Sequence, residues 1–522
     1  MFIDKFFFFF ISFTAIFPYN LEITDTHILP KWIYTSGISA LAIGIYGTYL
    51  YVCEKDKKIN EHSLFAITWL LSFSQAIYAN IQFIGLLTSR FSYRVVGSFD
   101  NPAGLAACLC VGIPCCIYFY RRNSGNIIKW ISIVVALVIS VALVLSESRA
   151  GILAGVLLPT AWFIFRMVKK FWGKILLVIL GGIILTGMYF VKKDSANGRI
   201  LMLYCGWEMV KERPLFGHGS NAIPAYYMDY QATWLEQHPD SQLAPLADNV
   251  KHVFNEFLSV VICYGFLGLG VLFLFVVFLV HCYLKCPSEE GMCALLILSS
   301  IGLLACFSYP LTYPFTWIVL TSSIWVLLHR AYPIKIVLPK LSRYVLATIL
   351  SITSACMLYQ VHSRLRAELK WGEVANLLLI NNNPKVLSVY EELMNVLGNE
   401  PYFLYNYAAE LYYAEEYDRA LQVAQRCRIY WADYDLELLL GELQMKARMY
   451  DEAEKHYRKA SAMCPNRFMP LHKLFRMALK QQDYDLARFY AEVILSKPIK
   501  VDSAEVRFII NECYNYYHHN KL

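Results

Sequence analysis

Long apolar runs constrain this chain more than any other feature of its sequence. They lie near residues 6–17, 32–52, 63–87, 103–120, 127–145, 151–166, 174–191, 254–282, 292–308, 314–329 and 344–361. A helix crosses the hydrocarbon core of a bilayer with about 20 apolar residues, and several of these runs approach that length. The composition agrees, since 57% of the residues are hydrophobic and the mean hydropathy is +0.42. We therefore predict an all-α protein in which residues 1–361 form a polytopic bundle of about eleven transmembrane helices.

Basic residues occur in short clusters between these runs. The clusters follow the second, fourth, sixth and tenth runs and contain Lys55, Lys57, Lys58, Arg121, Arg122, Lys129, Arg166, Lys169, Lys170, Lys174, Arg330, Lys335, Lys340 and Arg343. Positive charge is enriched in cytoplasmic loops, so these four even-numbered loops should share the cytoplasmic side. The formal charge of +7 is thereby explained without nucleic-acid binding.

This arrangement predicts a multi-pass membrane protein, whose outer side would be the periplasm in a bacterial cell. The first run, "FFFFFISFTAIF", has no small-residue cleavage site after it and is interpreted as an uncleaved span. The N-terminus should be cytoplasmic. A large loop at about 192–253 and the part after residue 361 should be periplasmic.

The 15 cysteines are scattered along the chain. Cys108, Cys110, Cys115 and Cys116 lie inside an apolar run and are typical of small hydrophobic residues rather than of a disulfide framework. The cysteine spacing gives little support for zinc. We therefore expect neither a metal site nor a cofactor.

The sequence becomes polar, amphipathic and repetitive from residue 362 to residue 522. Small residues (Ala375, Ala408 and Gly441) recur about 33 residues apart and are followed by Phe475, and a second series contains Leu387, Ala420, Ala453 and Ala487. The pattern resembles the tetratricopeptide repeat, in which small residues lie where two helices cross closely. We predict a soluble α-solenoid of about four repeats with a last helix that caps the stack. Such a solenoid binds a protein partner on its concave face, or it only braces the membrane part.

Charged and polar residues gather at the predicted outer ends of the spans. They are Arg94 and Asn101 before the fourth span, Arg149 after the fifth, Arg199 and His218 in the large loop, and His252, Asn255 and Glu256 at the start of the eighth. An ionisable residue at membrane depth is costly and therefore marks a functional site by default. If the eighth span already includes residue 252, His252 and Glu256 lie on one helix face at i and i+4.

Several arginines without a metal motif suit a diphosphate ligand. Arginine offers planar, permanently charged and bidentate donors to phosphate oxygens. It also stabilises a leaving diphosphate without a cation. A histidine could then act as a general base on an acceptor hydroxyl.

Four motifs resemble the O-antigen ligase and polymerase family, which includes bacterial protein O-oligosaccharyltransferases. In order they are "FDNPAGLA" at 99–106, "SESRAG" at 146–151, a segment from "GR" to "PLFGHG" at 198–219, and "NEFL" to "GFLGL" at 255–269. The resemblance covers roughly residues 60–330. It implies a polytopic inner-membrane glycosyltransferase that acts at the periplasmic face without a nucleotide sugar or a metal. Several members of the family carry C-terminal tetratricopeptide repeats.

The resemblance also implies roles for individual residues. Arg149 and Arg199 match the arginines that would bind or stabilise the lipid diphosphate. The family often has a histidine immediately before the asparagine of "NEFL", and this chain has Phe254 there. His252 replaces that histidine only if the segment is not yet helical, because two residues turn about 200° around a helix. Glu256 is the alternative base.

We expect transfer of a glycan from undecaprenyl diphosphate to a hydroxyl of lipid A core or of protein. An alternative is a polymerase whose acceptor is a second lipid-linked glycan. A third possibility, of another class, is a polysaccharide transporter or a non-catalytic membrane scaffold. Few charges fall at span midpoints and no inverted halves are visible, which favours the enzyme over the transporter.

Overall fold

The structure is a computed structural model that describes residues 2–52, 60–88, 93–123, 125–167, 173, 193–333, 339–377 and 385–519. Contacts divide the chain into two compact units. Unit 1 comprises Met1–Met188, Phe254–Glu256 and Gly270–Leu379, and unit 2 comprises Tyr189–Val253, Phe257–Leu269 and Ile380–Leu522. The large loop and the C-terminal repeats therefore share one unit.

Every regular element in the described ranges is helical, as the sequence predicts. The helices before the large loop are α1 (Phe2–Thr14), α2 (Ile28–Val52), α3 (Glu61–Ile84), α4 (Pro102–Leu109), α5 (Gly112–Arg122), α6 (Asn126–Leu145), α7 (Arg149–Ile152) and α8 (Leu158–Met167). Those that follow, up to the repeats, are α9 (Lys193–Glu212), α10 (Ala222–Gln237), α11 (Glu256–Lys285), α12 (Glu289–Ala305), α13 (Pro314–Ala331) and α14 (Lys340–Leu377). The repeat helices are α15 (Lys385–Leu397), α16 (Pro401–Tyr413), α17 (Tyr417–Tyr430), α18 (Tyr434–Lys446), α19 (Tyr450–Met463), α20 (Met469–Lys480), α21 (Tyr484–Ser496) and α22 (Ala504–His519).

Within the part of the chain that the structure describes, six helical segments are long and apolar enough to cross a membrane. They are Ile28–Tyr51, Glu61–Ile84, Pro102–Arg122, Asn126–Leu145, Glu256–Lys285 and Lys340–Ala375. Each coincides with a predicted apolar run, so a multi-pass membrane protein is confirmed by length and composition. Four other runs fall in α1, α7–α8, α12 and α13, and the run at 174–191 lies outside the described residues. A total of about eleven spans stays a prediction.

Charged residues join the ends of several spans at one end of unit 1. Arg330 of α13 donates to Glu61 at the start of α3 and lies 2.9 Å from Glu290 of α12. Arg121 forms a two-pronged pair with Glu289, and Arg122 pairs with Glu290. The ends that follow the fourth and tenth runs thus meet the start of α3, which follows the second. That all four basic loops share one side of the membrane stays a prediction.

The C-terminal part of unit 2 consists of helix pairs of the tetratricopeptide type. Three pairs, α16–α17, α18–α19 and α20–α21, are flanked by α15 and α22. A side chain at Gly441 would place its Cβ 2.4 Å from the ring of Tyr457, so the predicted small residue does permit close helix crossing. Ala420, Ala453 and Ala487 are fully buried at the equivalent crossings. The predicted boundary at residue 361 lies within α14, which continues to Leu377.

The same turn joins the two helices of each pair. Glu415, Arg448 and Gln482 adopt left-handed backbone angles, with φ of 62°, 60° and 60°. In each turn the next amide N–H donates back to a carbonyl five residues earlier, at 2.9–3.0 Å. This closes the first helix in the manner of a Schellman motif, although none of the three residues is glycine.

Candidate functional site

Asn101 of the "FDN" motif is the centre of a polar network in unit 1. Its side-chain oxygen accepts from the amides of Ala103 and Gly104 at 2.8 and 3.1 Å and so caps α4. Its amide group donates to Asp100 at 2.6 Å and to the hydroxyl of Tyr309 at 3.0 Å. Both ends of the side chain are therefore engaged in positioning the motif.

Two glutamines of α3 hold the loop that precedes this motif. Gln82 accepts from the amides of Val96 and Gly97 and donates to the Gly97 carbonyl, at 2.8–3.1 Å. Gln75 accepts from the amide of Ser98 at 3.1 Å and from its hydroxyl at 3.2 Å. The loop that carries Asp100 is consequently fixed by side chains from within the membrane domain.

Lys31 is a buried cation that sequence reasoning missed. Its ammonium group donates to the carbonyls of Pro18, His27 and Ser98 at 2.9, 3.0 and 3.0 Å, and the residue is 1% exposed. Three carbonyl acceptors satisfy the three donors of a lysine, and Asp100 lies near enough to interact with its charge. The only signal in the sequence is a lysine at the edge of the second apolar run.

Arg149 lies in a hairpin between α6 and α7, as the sequence predicts. Glu147 adopts a left-handed φ of 55° in the turn, and the hydroxyl of Ser148 accepts from the amide of Gly151 at 3.2 Å. A Cβ on Gly151 would lie 2.6 Å from the Cβ of Ala106. The glycine of "SESRAG" therefore packs against the last alanine of "FDNPAGLA", which explains why both positions are small.

The "NEF" segment reaches the same network through residues 309–313. The ring of Phe254 packs edge-on against Tyr309, with 5.1 Å between centroids. A side-chain oxygen of Glu256 accepts from the amide of Leu311 at 3.1 Å. Tyr313 donates to Asp100 at 2.9 Å. Parts of three motifs are thus assembled in unit 1, and sequence reasoning missed the tyrosines that join them.

The prediction that His252 and Glu256 share one helix face is wrong. Helix α11 begins at Glu256, and Phe254 just before it has a left-handed φ of 52°. The i, i+4 relation therefore does not apply to this pair. The condition for His252 to replace the family's histidine is met, because residues 252–254 are not helical.

Helix α11 is broken at Gly265, where φ is 66° and ψ is −171°. The loop that contains "PLFGHG" supplies the missing hydrogen bonds. The amides of His218 and Gly219 donate to the carbonyls of Ile262 and Cys263, both at 2.9 Å. The amides of Phe266 and Leu267 donate to the carbonyls of Pro214 and Leu215, at 2.7 and 3.2 Å.

Glycine is required on both sides of this contact. A Cβ on Gly265 would lie 2.1 Å from the Leu215 carbonyl oxygen, and one on Gly217 would lie 2.5 Å from the backbone of Cys263. Both residues also have positive φ. Unwound backbone in a span is tolerated only where protein or trapped water satisfies it, and here the loop does so.

His218 and Arg94, which we expect on the outer side as substrate-binding residues of the predicted site, have visible structural partners. One ring nitrogen of His218 donates to the carbonyl of Met209 near the end of α9, at 2.8 Å. Arg94 is exposed, donates to the carbonyl of Phe83 at 2.8 Å, and lies over the ring of the same residue. Asn255 is half-buried next to Glu256.

Arg199 and His252 both belong to unit 2. Arg199 is half-buried in the second turn of α9. Burial lowers the pKa of His252 below its usual value, and the positive charge of Lys251 lowers it further. His252 is therefore mostly neutral near pH 7, which is the form that can accept a proton.

The helix α10 of the large loop packs on the second helices of two repeats. Arg428 of α17 donates to both oxygens of Asp229 on α10 at 2.5 and 2.6 Å, and its Nε donates to Glu437 at 2.7 Å. Lys459 of α19 lies 2.7 Å from Asp229. The amide of Ala432 donates to the Pro224 carbonyl at 2.8 Å. The repeats thus hold the large loop, and the two roles expected from the sequence, binding a partner or bracing the membrane part, stay predictions.

Within the described residues no group of three or more His, Cys, Asp or Glu side chains is arranged to hold a metal ion.

Residues 133–273 match a family model described as O-Antigen ligase. The matched range includes Arg149, Arg199 and His252 and ends after the break in α11. The predicted resemblance is confirmed over this range.

No curated protein matches the chain. Among solved structures, the chain is similar to one titled "Crystal structure of APC/C hetero-tetramer Cut9-Hcn1". The identity is 15%, the TM-score is 0.28, and the alignment covers 93% of this chain and 88% of that chain. A TM-score this low supports no argument about fold or function.

Proposed function

We propose that this protein transfers a glycan from a polyprenyl diphosphate to an acceptor hydroxyl, because residues 133–273 match the O-antigen ligase family model and the chain has the helices of a multi-pass membrane protein. The acceptor oxygen forms a bond to the anomeric carbon while the bond from that carbon to the diphosphate oxygen breaks. The hydroxyl proton passes to a base, and the diphosphate leaves with the electron pair. The domain match is the observation that carries this proposal.

We propose that Arg149 and Arg199 bind the diphosphate. Negative charge increases on the leaving oxygen, and a guanidinium placed there stabilises the transition state more than the ground state. Arg149 is suited to this because the hairpin around it is rigid: Ser148 caps α7, and Gly151 packs against Ala106. Arg199 is carried on a regular helix of the large loop.

Two observations favour His252 over Glu256 as the base. His252 is uncharged near neutral pH because its pKa is lowered. Glu256 already uses one carboxylate oxygen to anchor the amide of Leu311. Glu256 is then a positioning residue that holds the start of α11 to the segment with Tyr309.

The test is transfer in proteoliposomes with a purified polyprenyl-diphosphate glycan. Arg149→Ala, Arg199→Ala and His252→Ala should each reduce the rate at least about 100-fold, as loss of a transition-state donor or a base does. Arg121→Gln removes a cation from the opposite end of the α4–α5 span and is the control. Undiminished transfer by both arginine variants would refute the diphosphate site.

We further propose that the acceptor is a macromolecule, either lipid A core or protein. A deletion strain should lose glycan from lipopolysaccharide or from glycoproteins. Loss of long chains alone would favour the polymerase instead.

We also propose that the N-terminus is cytoplasmic and that the repeats lie in the periplasm. Support for this topology comes from the basic loops that share one end of unit 1. A reporter fused at residue 522 should give a periplasmic signal, and a cytoplasmic signal would overturn the topology.

A further inference from the structure

One face of helix α9 carries large apolar side chains that the described protein covers only about half. Leu203, Tyr204 and Trp207 are between 45% and 50% exposed. The opposite face, with Leu201, Cys205 and Met209, is buried in the core of unit 2. Large apolar side chains on the outside of a helix whose other face already packs in a core require a second apolar environment.

The loop after α9 extends this surface. Leu215 and Phe216 are 64% and 73% exposed. Their backbone is fixed, because the Leu215 carbonyl accepts from the amide of Leu267 and the next glycine fits tightly against Cys263. The two side chains are therefore held outward by a rigid loop.

This surface is continuous with a transmembrane helix. The ring of Trp207 contacts the ring of Phe266, with 6.5 Å between centroids. Phe266 and Leu267 begin the second half of α11, and exposed apolar residues such as Val271 continue along that helix. The exposed apolar side chains of a membrane span face lipid, and we expect the same partner to reach the start of this span.

We propose that α9 and the 213–217 loop lie in the interfacial layer of the bilayer, with the apolar surface formed by Leu203, Tyr204, Trp207, Leu215 and Phe216 facing the acyl chains. Tyrosine and tryptophan at its centre match the aromatic belt of membrane interfaces. Lys211 and Arg213 flank the surface and are exposed to the anionic head groups. Arg199 lies one turn before Leu203 on α9, at the level where lipid head groups are found.

Photo-crosslinking of the full-length protein in nanodiscs of phosphatidylethanolamine and phosphatidylglycerol tests this contact. A benzophenone amino acid is incorporated in place of Phe216, and in a second variant in place of Leu203. The control is the same amino acid in place of Tyr413, which is 68% exposed on a repeat helix of the same unit.

Irradiation should add the mass of one phospholipid to the protein at positions 216 and 203 but not at 413. Protein–protein crosslinks at 216 and 203, or no adduct at either, would overturn the proposal. The readout requires no glycan donor. An inactive enzyme with lipid adducts would therefore count against the proposed function and not against the membrane contact.

Discussion

The ion pairs between α10 and the repeats give a sharp test of how the large loop is held. Arg428→Gln removes two short hydrogen bonds to Asp229 and one to Glu437. The variant leaves Glu437, which is 1% exposed, with Lys459 at 3.7 Å and His456 at 2.6 Å. The buried carboxylate therefore loses one of its three partners.

The magnitude follows from these contacts. Breaking a buried pair by removing one partner costs about 3–5 kcal/mol. The guanidinium of Arg428 is about one-fifth exposed, and Lys459 remains 2.7 Å from Asp229 and 3.7 Å from Glu437. We therefore expect the free energy that holds α10 on the repeats to fall by about 2 kcal/mol.

Hydrogen exchange of peptides from α10 measures this opening in the full-length protein. A loss of about 2 kcal/mol corresponds to about 30-fold faster exchange, since each 1.4 kcal/mol is a factor of ten. Lys455→Gln is the matched control, because this residue lies on α19 but pairs at the surface with Glu452. Exchange of α10 that is unchanged in Arg428→Gln, or equally faster in both variants, would refute the assignment of the loop contact to this network.

Three further outcomes follow from the geometry. Gly265→Ala should lower the midpoint of thermal unfolding sharply, because the added Cβ would meet a carbonyl oxygen. Gly270→Ala on the same helix is the control and should leave the midpoint unchanged, because nothing lies within 4 Å of its Cβ. Equal midpoints for the two variants would contradict the break at Gly265. Burial raises the pKa of Asp433 to about 6. Above about pH 4 the unfolded chain releases the proton of this carboxyl, whereas the folded chain still holds it. The contribution of Asp433 to the free energy of unfolding therefore falls as the pH rises from about 4 to 6. Thermal melts of the wild type and of Asp433→Asn at about pH 4 and pH 6 measure this effect. Between these two pH values the wild type should lose up to about 3 kcal/mol more of its free energy of unfolding than the variant does. Equal losses in the two proteins would exclude the effect. Lys251→Gln removes the charge that helps to lower the pKa of His252, so the acid limb of the transfer rate should move to higher pH, and a fixed limb would argue against His252 as the base.

Sequence reasoning predicted the features that depend on local pattern. Apolar length predicted about eleven spans, of which six are found as long apolar helices among the described residues. The spacing of small residues predicted the repeats, where Gly441 lies against Tyr457. The order of motifs predicted the match of residues 133–273 to the O-antigen ligase family model. In each case the physical cause, bilayer thickness or close helix crossing, acts within a few turns of the chain.

Long-range hydrogen bonds decided the parts that the pattern could not show. The break at Gly265 lies in a uniformly apolar run, and only the distant loop at Pro214 makes it possible. The left-handed φ of Phe254 is likewise unmarked, since phenylalanine is not a residue that favours it. The pairing of Asp229 with Arg428 joins a loop to a repeat that the sequence treats as separate domains.

The interrupted span also bears on how the chain is made. At the break in α11, amides and carbonyls of the two halves have no hydrogen-bond partner within the helix. Their partners are supplied by the loop at residues 214–219, which precedes α10 in the sequence and is therefore synthesised earlier. Lipid offers no substitute partners. Release of this helix from the insertion machinery is therefore coupled to docking of the extramembrane segment, and changes in that segment should appear first as defects of biogenesis.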